Sequence, residues 1–423
     1  MTDTITRPPG FRSRVVDRGQ SETLPLISIA GTSGKTTIAW MLNSIFNKAG
    51  WPDAAWLSSG VYVEGEQQDG ELGPWARVLL AARYGELRVV VQEMAAATVV
   101  AAGLPKDTYP VGIMTTLCGN NEACLLSEDA SRERQAMHIV VESMRPDGML
   151  VVNADDYDVN EVASKAHCLV FPYALHNDNP VLQARLNAGG IGCWIQDGQV
   201  VVGDRHESSH IIDVASVPAT LGGTMLFQVQ NLLAATAAAV AIRIDPFIIE
   251  AALLSFTTEP DLQPAAANVF AYNEATVIAD APELVATLKQ LARGIRHIPH
   301  RRSLVVCGRL PRLSDTEIHE AGRVIGGIGG IILLHGETDD EARIAAIKAG
   351  IATVAVPPIV INVANEEMAV DQLLNTIGTD DLALVLVDDA EVALSHLWPA
   401  PAINLSSRRR GSSHGNPEGA HNS

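Results

Sequence analysis

The sequence is poor in aromatic residues and contains no long apolar run. Aromatic residues form 4% of the chain although hydrophobic residues form 47%, and 34 glycines accompany many alanines. This composition is typical of a large α/β protein whose helices pack closely. Because no stretch reaches the ~20 apolar residues that a membrane span needs, we do not expect a membrane protein.

Positive charge is also scarce. The chain has 30 lysine and arginine residues against 49 acidic residues, and its formal net charge is −19. Nonspecific binding to nucleic acid requires a basic surface that displaces counterions. The charge therefore argues against that function, and the short basic run at residues 408–410 is interpreted as a solvated end.

Cysteine is infrequent and shows no metal-binding or redox spacing. The five cysteines include no Cys-x-x-Cys pair, and the first residues lack the apolar core of a signal peptide. An odd number of cysteines without a secretion signal points to a reducing cytoplasm, where we expect the protein to act. The cysteines are Cys118, Cys124, Cys168, Cys193 and Cys307.

The most informative stretch is a glycine loop between a predicted strand and a predicted helix. The apolar run at residues 24–30 precedes it, and apolar residues at helical spacing follow it until Gly50. Such a loop directs backbone N–H groups and a helix N-terminus toward one point, where a lysine reaches phosphate oxygens and a threonine binds Mg²⁺. We interpret it as a nucleoside triphosphate site; the alternative is a serine/glycine turn with a solvated lysine. The predicted binding residues are Gly31, Thr32, Ser33, Gly34, Lys35, Thr36 and Thr37.

Strands and helices alternate after this loop, which predicts a parallel sheet wound by helices. Strands are expected at residues 87–92, 111–116 and 149–152. Between about residues 165 and 226 the strands become short, and Asp197-Gly198 has the sequence of a hairpin turn. We therefore expect a small antiparallel sheet there, packed beside the nucleotide-binding domain.

A length of 423 residues allows two or three domains. Periodicity lapses around residues 257–267, and strand–helix units then resume. The predicted fold is α/β: a P-loop parallel-sheet ATPase domain with a small β insertion, followed by a Rossmann-like domain. Its predicted divisions are a polar leader 1–21, a P-loop domain 22–258, a Rossmann-like domain 264–404 with strands at 276–279, 304–307, 331–335, 353–356 and 382–387, and a disordered tail 405–423.

The compressed motif Gly-Thr-x-Gly-Lys-Thr-Thr at residues 31–37 resembles the Mur ligase family. Further segments are similar, in the same order, to the Mur-ligase-like module of cyanophycin synthetases, over roughly residues 22–400 and without their ATP-grasp half. They are Ser58-Ser59-Gly60-Val61-Tyr62-Val63, Gly73-Pro74-Trp75-Ala76-Arg77, residues 93–104, Asn153-Ala154-Asp155-Asp156, and Asn231 with its alanine-rich helix. The resemblance implies an enzyme that uses ATP and Mg²⁺ to join a carboxylate to an amine through an acyl phosphate.

The resemblance also implies roles for single residues. Lys35 and Glu93 are the expected catalytic residues, and Thr36 and Glu93 the expected Mg²⁺ ligands; the alternative for Glu93 is an exposed charge at a strand end. Asn231 is expected to contact adenine, unless it caps the helix that follows. Asp155 and Asp156 are expected near the nucleotide, unless they form a turn that caps a helix.

Five family signatures are altered in this chain. Asn121 replaces a metal-binding histidine, Met137 replaces a carbamylated lysine, and Ala96 replaces an arginine. Pro264-Ala265-Ala266 lacks another arginine, and Asp280-Ala281-Pro282 shortens a longer motif. With Thr36, Glu93 and phosphate oxygens as the remaining Mg²⁺ ligands, acyl-phosphate formation by the protein alone is expected to be slow.

Two hypotheses therefore stay open. The chain is either a carboxylate–amine ligase with a modified metal site, or an ATP-binding partner or regulatory subunit with diminished catalysis. The sequence specifies neither the carboxylate and amine substrates nor whether the protein forms a homo-oligomer or joins a partner subunit.

Overall fold

The computed structural model of the protein describes residues 24–338 and 340–397. The predicted leader at residues 1–21 and the predicted tail at 405–423 lie outside the described residues, as does the predicted end of the second domain near residue 404. No described helix is both long and apolar enough to cross a membrane.

A large sheet forms the first half of the described chain. Its central strands are parallel, and the phosphate-loop strand β1 lies between β5 and β6. The strands within the described residues run in the order β11-β10-β9-β8-β7-β6-β1-β5-β2-β3-β4. They are β1 Leu26–Ala30, β2 Asp53–Leu57, β3 Gly60–Val63, β4 Glu66–Gln68, β5 Val89–Glu93, β6 Tyr109–Met114, β7 Met144–Asn153, β8 Leu169–Ala174, β9 Gly192–Gln196, β10 Gln199–Gly203 and β11 Ser208–Asp213.

Helices cover both faces of this sheet. Successive side chains of a strand point to opposite faces, and β1 follows this rule: Ile27 and Ile29 enter one core whereas Leu26 and Ala30 enter the other. Helices α1, α8 and α9 pack on the first face, and α2, α3, α5 and α6 pack on the second. The helices are α1 Lys35–Ala49, α2 Leu72–Arg83, α3 Ala96–Ala102, α4 Glu122–Leu125, α5 Glu128–Ser143, α6 Tyr157–Ala163, α7 Pro180–Asn187, α8 Leu226–Ala241 and α9 Pro246–Leu253.

The hairpin predicted around Asp197-Gly198 is confirmed, but the separate small sheet is wrong. Strands β9 and β10 pair antiparallel across that turn, where Asp197 and Gly198 both have positive φ. However, β9 also pairs with β8, and β8 pairs in parallel with β7. The short strands therefore extend the edge of the large sheet, because β8 continues its strand pairing without a break.

The second half of the described chain forms another sheet, in the order β12-β13-β17-β14-β15-β16. All its strand pairs are parallel except β12 with β13. Its strands are β12 Asn268–Tyr272, β13 Ala275–Asp280, β14 Ser303–Cys307, β15 Ile331–Leu334, β16 Ile359–Asn362 and β17 Leu382–Leu386. Its helices are α10 Val285–His297, α11 Ile318–Gly326, α12 Glu341–Ile351, α13 Glu366–Thr376 and α14 Ala390–Leu397.

One strand prediction in this half is wrong. Residues 353–356 are not a strand, and β16 begins three residues later, after Pro357 and Pro358. A proline cannot donate a ladder hydrogen bond, so the apolar residues before the two prolines cannot continue into the sheet. Strand β12, at the opposite edge, was not predicted from the sequence.

The cysteines differ from the expectation of a uniformly reducing environment. Cys118 and Cys124 are joined in a disulfide, whereas Cys168, Cys193 and Cys307 are free thiols. The bonded pair flanks a turn in which Cys118, Gly119 and Asn120 all have positive φ. Such backbone angles cost free energy for residues other than glycine, so the disulfide closes a turn that is locally unfavourable.

The connection between the two sheets contains no helix or strand from residue 254 to residue 267. We predict that limited proteolysis cuts first at its exposed positions near Thr257, Glu259 and Asp261, because cleavage sites concentrate in exposed irregular segments. Mass spectrometry of the early fragments would identify the sites. First cuts inside α8 or β13 would show that this segment is not the division between two domains.

We also predict that the protein as purified carries one disulfide. Under denaturing conditions without reductant, an alkylating reagent should label the three free cysteines, and it should label all five only after reduction. Peptide mapping of the labelled protein would check that Cys118 and Cys124 are the protected pair. Labelling of all five without reductant would contradict the disulfide.

Candidate nucleotide-binding site

The predicted phosphate loop lies between the end of β1 and the start of α1. Its two glycines are required by close contacts: a Cβ at Gly31 would come within 1.9 Å of Thr115 Oγ1, and a Cβ at Gly34 would come within 2.3 Å of Asn231 Oδ1. Gly34 also has a φ of 83°, a conformation that glycine adopts without strain. Helix α1 starts directly after it, so the N-terminus of α1 opens at the loop.

Lys35 folds back over the loop. Its ammonium donates a hydrogen bond of 2.6 Å to the carbonyl oxygen of Gly31 and lies 4.0 Å from Glu93 Oε1. The Lys35 side chain is 16% exposed, so the alternative of a fully solvated lysine is wrong.

Glu93 lies at the end of β5 and faces the loop. Its Oε2 accepts hydrogen bonds from the Thr36 hydroxyl at 2.9 Å and from the Ser58 backbone N–H at 3.2 Å. With 9% of its side chain exposed, Glu93 is not the exposed strand-end charge of the alternative interpretation. The structure therefore brings Lys35, Thr36 and Glu93 together.

The donor set fits a magnesium ion that also binds phosphate. Mg²⁺ prefers oxygen ligands and is usually held by one or two protein groups plus phosphate and water, and Thr36 and Glu93 supply a hydroxyl and a carboxylate. The described residues contain no cluster of three or more histidine, cysteine, aspartate or glutamate side chains that could hold a metal alone.

The end of β6 fixes the other side of the loop. The Thr115 hydroxyl donates to Ser33 O at 2.7 Å, and the Thr32 backbone N–H donates to Thr116 O at 2.8 Å. The Cys118 backbone N–H then donates to the Thr32 hydroxyl at 2.9 Å. The disulfide-closed turn is thus part of the wall of the site.

Asn231 lies beside the loop but does not cap a helix. It is within α8, which begins at Leu226, so the capping alternative is wrong. Its side-chain amide donates to Gln228 Oε1 at 3.1 Å, and the residue is 7% exposed. Asn231 therefore faces the site next to Gly34.

Asp155 and Asp156 line the same cleft and also have structural roles. Asp156 is the N-cap of α6, and it accepts hydrogen bonds from the Thr116 hydroxyl at 2.6 Å and from the Leu117 N–H at 2.7 Å. Burial raises the pKa of Asp156 above its usual value. Asp155 accepts a hydrogen bond from the Leu175 N–H. The helix-capping alternative is confirmed for Asp156.

The positions where the resemblance places a histidine and a lysine do not face the cleft. Asn121 caps α4 by accepting a hydrogen bond from the Cys124 N–H, and Met137 is fully buried in the core beneath the sheet. Neither lines the cleft among the described residues. These two altered positions are therefore separated from Thr36 and Glu93, which do line the cleft.

The sequence interpretation missed Glu133. Its Oε1 accepts a hydrogen bond of 2.9 Å from the Gly31 N–H, and the residue is 7% exposed. Burial raises the pKa of Glu133, while nearby Lys35 and the Gly31 N–H oppose this rise. A sequence signal exists, because Glu133 falls between Ala130 and Met137 on the helical stripe of α5 that packs into the core.

A cleft of about 700 Å³ opens in front of the phosphate loop. The second sheet contributes the opposite wall through residues after β13 and along α10, including Glu283 and Gln290, together with Arg312. Arg312 Nη1 lies 3.6 Å from Glu283 Oε1. The cleft therefore has charged groups of both signs facing the loop.

Comparison with known proteins identifies a matching family model and similar proteins. Residues 29–239 match the family model of the Mur ligase middle domain. Curated relatives include the cyanophycin synthetases of Synechocystis sp., 24% identical over 77% of this chain and 37% of that protein, and of Trichormus variabilis, 23% identical over 89% and 42%. The chain thus spans about two fifths of the length of these relatives.

Solved structures share the fold over most of the chain. Escherichia coli FolC in complex with ADP has a TM-score of 0.62 at 15% identity, with 92% of this chain and 91% of that chain covered. A pseudomurein peptide ligase type C from Methanothermus fervidus has a TM-score of 0.59 at 18% identity, covering 89% and 78%. From the middle-domain match, these relatives and the shared fold, we conclude that the chain belongs to the Mur-ligase-like family.

Proposed function

We propose that this protein is an ATP-dependent ligase that joins a carboxylate to an amine through an acyl phosphate. The observation that carries the proposal is the meeting of Lys35, Thr36 and Glu93 at a phosphate loop that faces a cleft lined from both sheets. The similarity to cyanophycin synthetases, and to FolC and a peptide ligase in fold, supports the same reaction class.

The nucleotide would bind with its phosphates at the loop and at the N-terminus of α1, where N–H groups and the helix dipole favour an anion. Lys35 would leave the Gly31 carbonyl and turn to the phosphate oxygens. Asn231 would contact the nucleotide from α8, beside Gly34.

Thr36 and Glu93 would hold Mg²⁺, which when bound neutralises charge on the phosphate oxygens. The Thr36–Glu93 hydrogen bond of 2.9 Å already sets these two oxygens side by side. Little rearrangement of the protein is then needed, which favours rapid alignment of the reactants.

The chemistry has two steps. A carboxylate oxygen of the first substrate attacks the γ-phosphorus, and ADP leaves with the electron pair of the broken P–O bond. The amine nitrogen then attacks the carbonyl carbon of the acyl phosphate, phosphate leaves, and the nitrogen releases a proton. Glu283, Gln290 and Arg312, opposite the loop, are the proposed contacts for the non-nucleotide substrates.

We predict that Lys35→Ala weakens binding of ATP with Mg²⁺ about 10- to 150-fold, since charge-assisted hydrogen bonds contribute ~1.5–3 kcal/mol. Isothermal titration calorimetry would measure this change. Lys48→Ala is the matched control, because Lys48 is an exposed lysine of the same helix. Equal affinities for the wild type and Lys35→Ala would remove the phosphate-loop assignment.

We further predict that ADP is released when ATP, Mg²⁺, a carboxylic acid and an amine are all present, in a screen of N-acylated amino acids against free amino acids. Hydroxylamine should trap the acyl phosphate as a hydroxamate without the amine. Glu93→Gln should lower the rate about 100-fold by weakening charge stabilisation, and a chelator should abolish it. ATP binding without ADP release from any pair would favour the alternative of a nucleotide-binding partner or regulatory subunit.

A further inference from the structure

Gly31 is held from two sides by opposite charges. Its carbonyl oxygen accepts the hydrogen bond from Lys35, and its N–H donates to Glu133. Under the proposed function Lys35 leaves the Gly31 carbonyl for the phosphate oxygens, so this first hydrogen bond is temporary. When Lys35 turns to the nucleotide, the bond to Glu133 remains.

Glu133 is placed to keep its hydrogen bond with the Gly31 N–H after Lys35 has turned to the nucleotide. It lies on α5, whose neighbouring residues Ala136, Met137 and Val140 are packed into the core and fix the position of the helix. A carboxylate accepts a hydrogen bond more strongly than a neutral group does. Its burial also carries a desolvation cost, so an apolar residue would be the ordinary choice at this position on the stripe.

The placement of Glu133 separates it from the residues that contact the nucleotide. It does not line the cleft among the described residues, whereas Lys35, Thr36 and Glu93 do. Its hydrogen bond to the phosphate loop is the one that it accepts from the Gly31 N–H. If Glu133 had no role in binding, its carboxylate would only repel the phosphates. If it positions the loop, its hydrogen bond to Gly31 would hold the loop in the conformation that binds them.

We propose that Glu133 is a positioning residue of the nucleotide site, which keeps the phosphate loop in its binding conformation when Lys35 turns from Gly31 to the nucleotide. This inference rests on the proposed use of ATP. It assigns to α5 a direct role at the loop that the altered residue Met137, buried one helical turn further on, does not have.

Three variants test the inference. Glu133→Leu removes both the acceptor and the charge and suits the apolar stripe of α5. Glu133→Gln keeps an acceptor oxygen without the charge. Glu142→Gln changes an exposed glutamate of the same helix and is the matched control. Calorimetry with ATP and Mg²⁺ gives the affinities, and thermal unfolding checks that each variant is folded at the temperature of the titration.

We expect ATP affinity to fall about tenfold or more in Glu133→Leu. Without the hydrogen bond from the Gly31 N–H to Glu133, part of the binding free energy must be used to order the phosphate loop. Glu133→Gln should recover most of the loss and bind within about threefold of the wild type, as a weaker hydrogen bond allows. Glu142→Gln should bind as the wild type does. If Glu133→Leu does not fold, the inference is tested by Glu133→Gln alone, in which a loss of ATP affinity of up to about threefold would support it.

A rise in ATP affinity in the Glu133 variants, in place of the expected fall, would contradict the inference. Tighter ATP binding in Glu133→Gln and Glu133→Leu would show that Glu133 only repels the phosphates. Unchanged affinity with a lower unfolding temperature would show a purely structural role, and the proposed function would stand in both cases. Failure of the wild type itself to bind ATP would remove the proposed function and this inference together.

Discussion

The close approach of Gly31 to Thr115 is the constraint on which the site depends. Strand β1 lies between β5 and β6, and the loop that follows it must pass the end of β6 with no room for a side chain at Gly31. That passage lets Thr115 and Thr116 bond to the loop backbone. It also aims the start of α1 at the cleft, with Lys35 and Thr36 in its first turn. The parallel sheet thus determines the position of the charges.

The protein binds an anion, on this proposal, although its own charge is strongly negative. Glu93, Glu133, Asp155 and Asp156 all lie around the loop, and the chain as a whole has a formal net charge of −19. Net charge describes long-range attraction, whereas binding depends on groups within a few ångströms. The helix N-terminus, Lys35 and a metal ion must therefore offset nearby carboxylates, and the site should be sensitive to any change in their spacing.

Local patterns in the sequence predicted the phosphate loop, the central strands and the hairpin at Asp197-Gly198, because each is decided by residues adjacent in the chain. Features that depend on distant partners were not predictable in this way. Extension of the large sheet by β9 depends on its pairing with β8, and the disulfide depends on the turn at Cys118. Glu133 belongs to the same group, since its role follows from the contact of α5 with a loop about one hundred residues earlier.

Helix α8 shows that the nucleotide-binding site is sensitive to substitutions at a distance from it. Its alanines at positions 234, 235, 237, 238 and 239 are fully buried, so the helix lies close to α1 and to the strands beneath it. Asn231 on the same helix touches Gly34 with no space to spare. Interiors at this packing density accommodate an added methyl group by moving backbone or neighbours. In evolutionary terms, α8 has little freedom to drift, because a larger side chain at one of these alanines that displaces the helix also displaces Asn231 against Gly34.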